Sequence, residues 1–167
     1  SMAKSVVKVL ENRISEGIVL YLPEESFSLH KNIRGLPAPH PLPDERSVAA
    51  SEKILALSER AGEKDLILVL ISGGGSAQIC LPAQGISLEE KRFITEGLLK
   101  AGATITELNT VRKHLSRIKG GRLAEASFPA TTINLFISDV IGNDLENIAS
   151  GPTYWDSSTY DDARKVL

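Results

Sequence analysis

The chain has 167 residues, 42% hydrophobic and 24% charged, which suffices for one compact domain with a core and excludes a disordered, collagen-like or coiled-coil chain. A formal net charge of -2, from 19 Lys and Arg against 21 Asp and Glu, excludes a wholly basic nucleic-acid binder and a strongly acidic tail. Its one cysteine, Cys80, excludes an internal disulfide or a multi-thiolate zinc site and points to a reducing compartment, and no stretch reads as a membrane span or signal peptide.

Ser1 in front of Met2 reads as a scar left by removal of a tag, so the domain is expected over residues 3–167. Ala3, Val6, Val7, Leu10 and Ile14 recur at helical spacing. Residues 18–22 then predict a short buried strand stopped by Pro23, and residues 26–29 a weaker one. From Gly35 the chain changes character: Pro37, Pro39, Pro41 and Pro43 predict a stiff, extended loop, because proline can neither continue a helix nor donate within a central strand. Asp44 is placed to cap an alanine-rich helix over residues 48–61.

The unbroken apolar run at residues 66–71 predicts a strand covered on both faces. Ser87 with Glu90, and Thr104 with Glu107, carry capping-box spacing and predict helices from 88 to about 100 and from 105 towards Gly120 and Gly121. The second carries an apolar stripe of Ile105, Leu108, Val111, Leu115 and Ile118. Residues 131–137 predict a second apolar strand, and a last helix begins near Ser158. Helices alternating with buried strands predict an α/β layered domain, Rossmann-like, with a largely parallel sheet flanked by helices. Ligands in such folds gather at the carboxyl ends of strands, here after Ile71 and after Ile137.

Three segments near those ends carry chemistry. Ser72, Gly73, Gly74, Gly75 and Ser76 form a loop whose glycines let backbone N–H groups approach an anion and whose hydroxyls can donate to it. It is neither a Walker A loop nor a GxGxxG dinucleotide fingerprint, and a tight turn without a ligand is an equal reading of the loop alone. Between Leu108 and Ala124 stand Arg112, Lys113, Arg117, Lys119 and Arg122 without one acid, and helical spacing puts Arg112, Ser116 and Lys119 on one face. Such a face suits phosphates; a solvated flank would explain two of these cations better than five, and RNA binding would want interleaved aromatic residues that are missing. From Asp139 to Ala163 there are six acids and no Lys or Arg. Asp139 follows the second strand directly and suits metal binding or proton acceptance from a hydroxyl, whereas Asp144 reads as a turn cap. Ser150 and Thr153 bracket a Gly-Pro turn, and His40 with Asp44 sits in the proline-rich loop, where an imidazole and a carboxylate could face a ligand. Trp155 reads as a packing residue and Cys80 as a small buried hydrophobe.

Taken together, the segments resemble the glycerate kinase family that makes 2-phosphoglycerate, whose second domain is called MOFRL. The matching strings are His40-Pro-Leu-Pro-Asp-Glu45, Leu70-Ile-Ser-Gly-Gly-Gly-Ser-Ala77, Gly102-Ala-Thr-Ile, Glu107-Leu-Asn-Thr-Val-Arg-Lys-His-Leu-Ser116, Ile118-Lys-Gly-Gly-Arg-Leu-Ala124, Ser138-Asp-Val140 and Ile148-Ala-Ser-Gly-Pro-Thr153, in the family's order across nearly the whole chain. The resemblance implies ATP-dependent phosphorylation of D-glycerate with Mg²⁺. On this expectation Asp139 and Lys113 are catalytic, with Asp139 also the metal ligand. Ser72, Gly73, Gly74, Gly75, Ser76, Asn109, Arg112, Lys119, Ser150, Gly151 and Thr153 bind phosphate or substrate, and His40 and Asp44 form a ligand loop. The family's early Gly-Lys-Ala segment and its MOFRL motifs have no counterpart here, so the chain is expected to be an internal part of the enzyme, inactive alone. D-glycerate and ATP are the expected partners, with no nucleic acid or membrane; a homodimer is compatible, and the cytoplasm is expected, with the mitochondrion as the other compartment considered. Two other readings are an NAD(P)H-dependent hydroxypyruvate reductase, against which the missing GxGxxG counts, and a non-catalytic module binding anions or RNA through the cationic helix.

Overall fold

A computed structural model of the chain describes residues 1–137 and 144–167. Helix α1 (Met2–Leu10) runs through a 3-10 turn into strand β1 (Gly17–Tyr21), which pairs in parallel with β2 (Ile33–Pro37). Helix α2 (Glu45–Glu59) leads to β3 (Leu66–Ile71); β3 pairs in parallel with β4 (Thr131–Phe136), and α3 (Gly75–Gln78), α4 (Leu88–Lys100), α5 (Ile105–His114) and α6 (Arg122–Ser127) lie between them in sequence. A 3-10 turn at Ile148–Ser150 and helix α7 (Tyr160–Val166) complete the described chain. The α/β arrangement with parallel pairing is as expected, divided into a pair of two-stranded sheets. Among the described residues no helix is long and apolar enough to cross a membrane.

The capping predictions hold atom for atom. The Ser87 hydroxyl accepts from the Glu90 N–H at 3.1 Å while the Glu90 carboxylate accepts from the Ser87 N–H at 2.7 Å, and Thr104 with Glu107 repeats the arrangement. Asp44 caps α2 through the Arg46 N–H at 2.8 Å, which starts that helix at Glu45, three residues earlier than the alanine pattern suggests.

Several expectations are corrected. Residues 26–29 form no strand: Phe27 lies over Gly35, whose missing side chain makes the room, and stacks on Tyr21 at 5.5 Å between ring centres. The proline-rich segment begins as a strand, since Pro37 ends β2, where its absent N–H costs no ladder bond. Helix α5 stops at His114 because Ser116 redirects the chain: its hydroxyl donates to the Leu81 carbonyl, and the Arg117 N–H donates to the same carbonyl. The β3–β4 pair is covered unequally on its two faces. On one, Leu66 of β3, Ile133 and Leu135 of β4 and the following Ile137 are 43–63% exposed, with Leu68 and Leu70 partly buried, while on the other Ile71, Val69 and Phe136 pack with Ile148 and Ala149. That inner cluster anchors the turn after β4 beneath the end of β3, where the candidate site lies. Trp155 does not pack; it is 79% exposed, because Tyr154 lies against Gly121 and Asp156 turns inward, leaving residue 155 facing out.

Candidate functional site

The site forms where β3 ends. The chain leaves Ile71 into an accessible loop of Ser72 and Gly73, and Gly74 adopts a left-handed conformation (φ +86°) that opens α3. His40 lies over this loop, since a Cβ on Gly74 would come within 3.2 Å of its ring. Asp44, from the same proline-rich segment, is instead engaged by Arg46, whose hydrogen bond holds the carboxyl below its usual range.

Beside the loop stands the 148–153 turn. Ala149, Ser150 and Gly151 all have positive φ, between 52° and 60°. For the first two such backbone costs about 1–3 kcal/mol each and persists only where the surroundings fix it. Here successive carbonyls are all taken: Lys119 Nζ donates to Ala149 O (3.0 Å), Gly120 N–H to Ser150 O (3.1 Å), Gly121 N–H to Gly151 O (2.8 Å) and Leu123 N–H to Pro152 O (3.0 Å). Loop and turn touch, for a Cβ on Gly75 would lie 2.9 Å from that of Ala149. Their hydroxyls meet as well, Ser76 Oγ standing 3.4 Å from Ser150 Oγ. Ser150 Oγ donates to Asn109 Oδ1 at 2.9 Å, and Asn109 Nδ2 donates to Asn147 Oδ1 at 2.8 Å. Asp144 caps the turn through the Glu146 N–H and the Asn147 amide, as its sequence position suggests.

The cations do not form the open face that helical spacing suggested. Lys113, on α5, is buried against Asp156 at 2.6 Å and Glu146 at 3.2 Å, so the basic and acidic runs, separate in sequence, meet at this one residue. Arg122 donates to the carbonyls of Lys113 and Lys119. Lys119 is 1% exposed; besides Ala149 O its amine donates to Ser76 O at 3.0 Å, and burial, with Lys91 and Arg112 nearby, lowers its pKa to about 7. Arg112 is half-buried, its guanidinium has no acceptor among the described residues, and burial lowers its pKa. Arg117 remains exposed.

The structure thus brings together Ser76, Asn109, Lys119, Ser150 and Gly151, with the glycine loop and His40 alongside. Lys113 joins this assembly from behind, through its ion pairs. Thr153 Oγ1 is buried without a partner among the described residues. Asp139 lies outside the described residues. Cys80 is buried as expected, which pushes its thiol pKa up against the opposing effect of Lys91, Lys119 and Arg112. Sequence reasoning missed Lys91, whose amine donates to Arg112 O (3.3 Å) and Leu115 O (2.5 Å) at the end of α5; burial lowers its pKa to about 8. Its signal was its spacing: with Ile94 and Leu98 it falls on the inward face of α4.

Among the described residues no three of His, Cys, Asp and Glu cluster, and Asp144, Glu146 and Asp156 already serve N–H groups, hydroxyls or Lys113. These carboxylates do not fit a metal site.

A family model described as "Domain of unknown function (DUF4147)" matches residues 1–167. The chain belongs to the DUF4147 family. Its similarities are to a D-glycerate 2-kinase of Thermotoga maritima, 47% identical over 99% of this chain and 40% of that protein, and to a glycerate 2-kinase of Pyrococcus horikoshii, 45% identical over 99% of this chain and 37% of that protein. The crystal structure of the Thermotoga maritima glycerate kinase superposes with a TM-score of 0.95 over 99% of this chain and 40% of that one. A putative hydroxypyruvate reductase of Agrobacterium vitis is 52% identical, over 79% of this chain and 30% of that protein. This DUF4147 chain therefore spans about two fifths of the length of the first two relatives. The motif resemblance drawn from the sequence agrees with these similarities.

Proposed function

We propose that the chain supplies the anion-binding half of a glycerate kinase, which transfers the γ-phosphoryl group of ATP to D-glycerate and yields 2-phosphoglycerate. The observation that carries the reading is the convergence of sequence-distant motifs on one network, from Ser76 through Ser150 to Asn109, at the carboxyl end of β3. A phosphoryl group in transfer needs donors and cations around its oxygens and an oriented hydroxyl to attack it. The N–H groups and hydroxyls of the 72–76 loop suit the first need, with Arg112 the cation able to reach a ligand. Ser150, Gly151 and Thr153 are proposed to shape the opposite wall. His40 contributes a donor above Gly74. Asp139 is the proposed catalytic residue, receiving the hydroxyl proton, while Lys113 orders the turn as a positioning residue rather than touching the substrate. Magnesium is proposed to enter bound to the nucleotide phosphates. The compartment proposed is the cytoplasm and the assembly a homodimer, with no nucleic-acid or membrane partner. The two relatives named as glycerate 2-kinases match nearly the whole chain, whereas the Agrobacterium vitis protein named as a putative hydroxypyruvate reductase matches 79% of it.

A polypeptide of the relatives' full length carrying this chain is expected to convert ATP and D-glycerate to ADP and 2-phosphoglycerate, identified by ³¹P NMR. Oxidation of NADH by hydroxypyruvate, without phosphorylation of glycerate, would replace the kinase by the reductase.

A further inference from the structure

We propose that Lys119 is the positioning residue of the site: bridging Ser76 O and Ala149 O, its amine holds the glycine loop against the 149–151 turn and does not itself touch the ligand. Among the described residues the amine donates to these two carbonyls, the residue being 1% exposed and both bonds 3.0 Å long. Its acceptors lie 43 and 30 residues away in sequence, so one side chain ties together segments that no shared strand or helix connects. Those carbonyls are neutral, and no carboxylate reaches the amine within hydrogen-bond distance among the described residues. A protonated amine offers three hydrogens and a neutral one two, so the bridge forms in either state.

What the bridge supports is strained. Two non-glycine residues, Ala149 and Ser150, stand in the left-handed region, and the backbone just after Lys119 completes the restraint through Gly120, Gly121 and Leu123. Lys119 is the side-chain rung of a ladder whose other rungs are N–H groups. It is also the rung that reaches the other loop. Releasing it frees Ala149 O, lets the left-handed pair relax and carries Ser150 Oγ away from Asn109 and Ser76. The bridge requires no particular ligand; that it positions groups for phosphate rests on the reading given above.

Lys119→Met, which keeps length and volume while removing the donor, tests this on the chain itself at pH 6. In the ligand-free variant the amides of Gly120, Gly121 and Leu123 are expected to exchange with solvent about 100-fold faster, while those of Leu98 and Leu108, in α4 and α5, keep their protection. Inorganic phosphate, followed by the amide shifts of residues 72–76, is expected to bind about tenfold or more weakly to the variant. Unchanged protection of Gly120 and Gly121 in a folded variant would overturn the bridge. Lost protection with unchanged phosphate affinity would overturn its positioning role. If the wild-type chain shows no phosphate-dependent shift, the functional reading fails while the exchange result still decides the bridge. Should Lys119→Met not fold, the unmodified chain decides through ¹⁵N NMR of its lysine ammonium groups. A slowly exchanging Lys119 signal, coupled through hydrogen bonds to the carbonyl carbons of Ser76 and Ala149, is expected, and its absence overturns the proposal.

Discussion

Asp156→Ala is expected to lower the free energy of unfolding by about 3 kcal/mol at pH 7, measured by urea denaturation. The carboxylate meets the buried Lys113 amine at 2.6 Å and accepts from Ser158, whose hydroxyl is 2.5 Å and N–H 3.0 Å away, immediately before α7. Removing it leaves a 4% exposed ammonium with the more distant Glu146 as its remaining carboxylate partner. That uncompensated charge, more than the loss of any attraction, makes the cost large. Burial pushes the Asp156 pKa up, but the bonds from Lys113 and Ser158 outweigh it and hold the carboxyl below its usual range. The folded pKa is then below the unfolded one, so this stabilisation is complete above about pH 4 and is lost as pH falls through the folded value. Wild type and variant should therefore converge in acid. A difference that persists unchanged at pH 2 would contradict this assignment.

Stability is expected to rise between pH 7 and 9, by about 3 kcal/mol, where most small domains are flat. Lys91 and Lys119 are the cause: burial lowers their pKa values to about 8 and about 7. In the unfolded chain both return to the ordinary lysine range near 10.4. Over this window the unfolded state therefore binds more protons than the folded one, and the unfolding free energy climbs with pH. Cys80 acts with the opposite sign. Its raised thiol pKa keeps a proton in the fold that the unfolded chain releases, so the rise levels off above about pH 9. Urea denaturation across pH 6 to 10 reads the profile, and Lys91→Met should flatten its middle. A decline from pH 7 to 9 would mean that neither amine is neutral when buried.

Local rules made much of this architecture legible. Capping boxes at Ser87 and Thr104 named two helix starts because their chemistry is complete within four residues. The apolar run 66–71 named β3 for the same reason. What stayed hidden depended on distant partners. No local signal showed that Phe27 would fill the space over Gly35 and displace a strand, or that Ser116 would turn α5 towards Leu81. The motifs meet in one neighbourhood of the fold, and their side chains are engaged there in ways that spacing did not suggest. Cation spacing predicted an open basic face, yet Lys113 and Lys119 point inward, because the acids and carbonyls they meet come from residues 146–156 and from Ser76, distant in sequence. The separation of basic and acidic runs is real in sequence and is cancelled at Lys113 in the fold.

The central claim is that glycine loop, Lys119–Gly121 segment and 149–151 turn make one site for a phosphorylated hydroxy acid. Titrating 2-phosphoglycerate into the ¹⁵N-labelled chain tests it most directly. Amides of Gly74, Gly75, Ser76, Gly120, Ser150 and Gly151 are expected to shift together along one saturation curve, with those of α4 unmoved. Shifts confined to other segments, or loop and turn amides that titrate with different affinities, would contradict it.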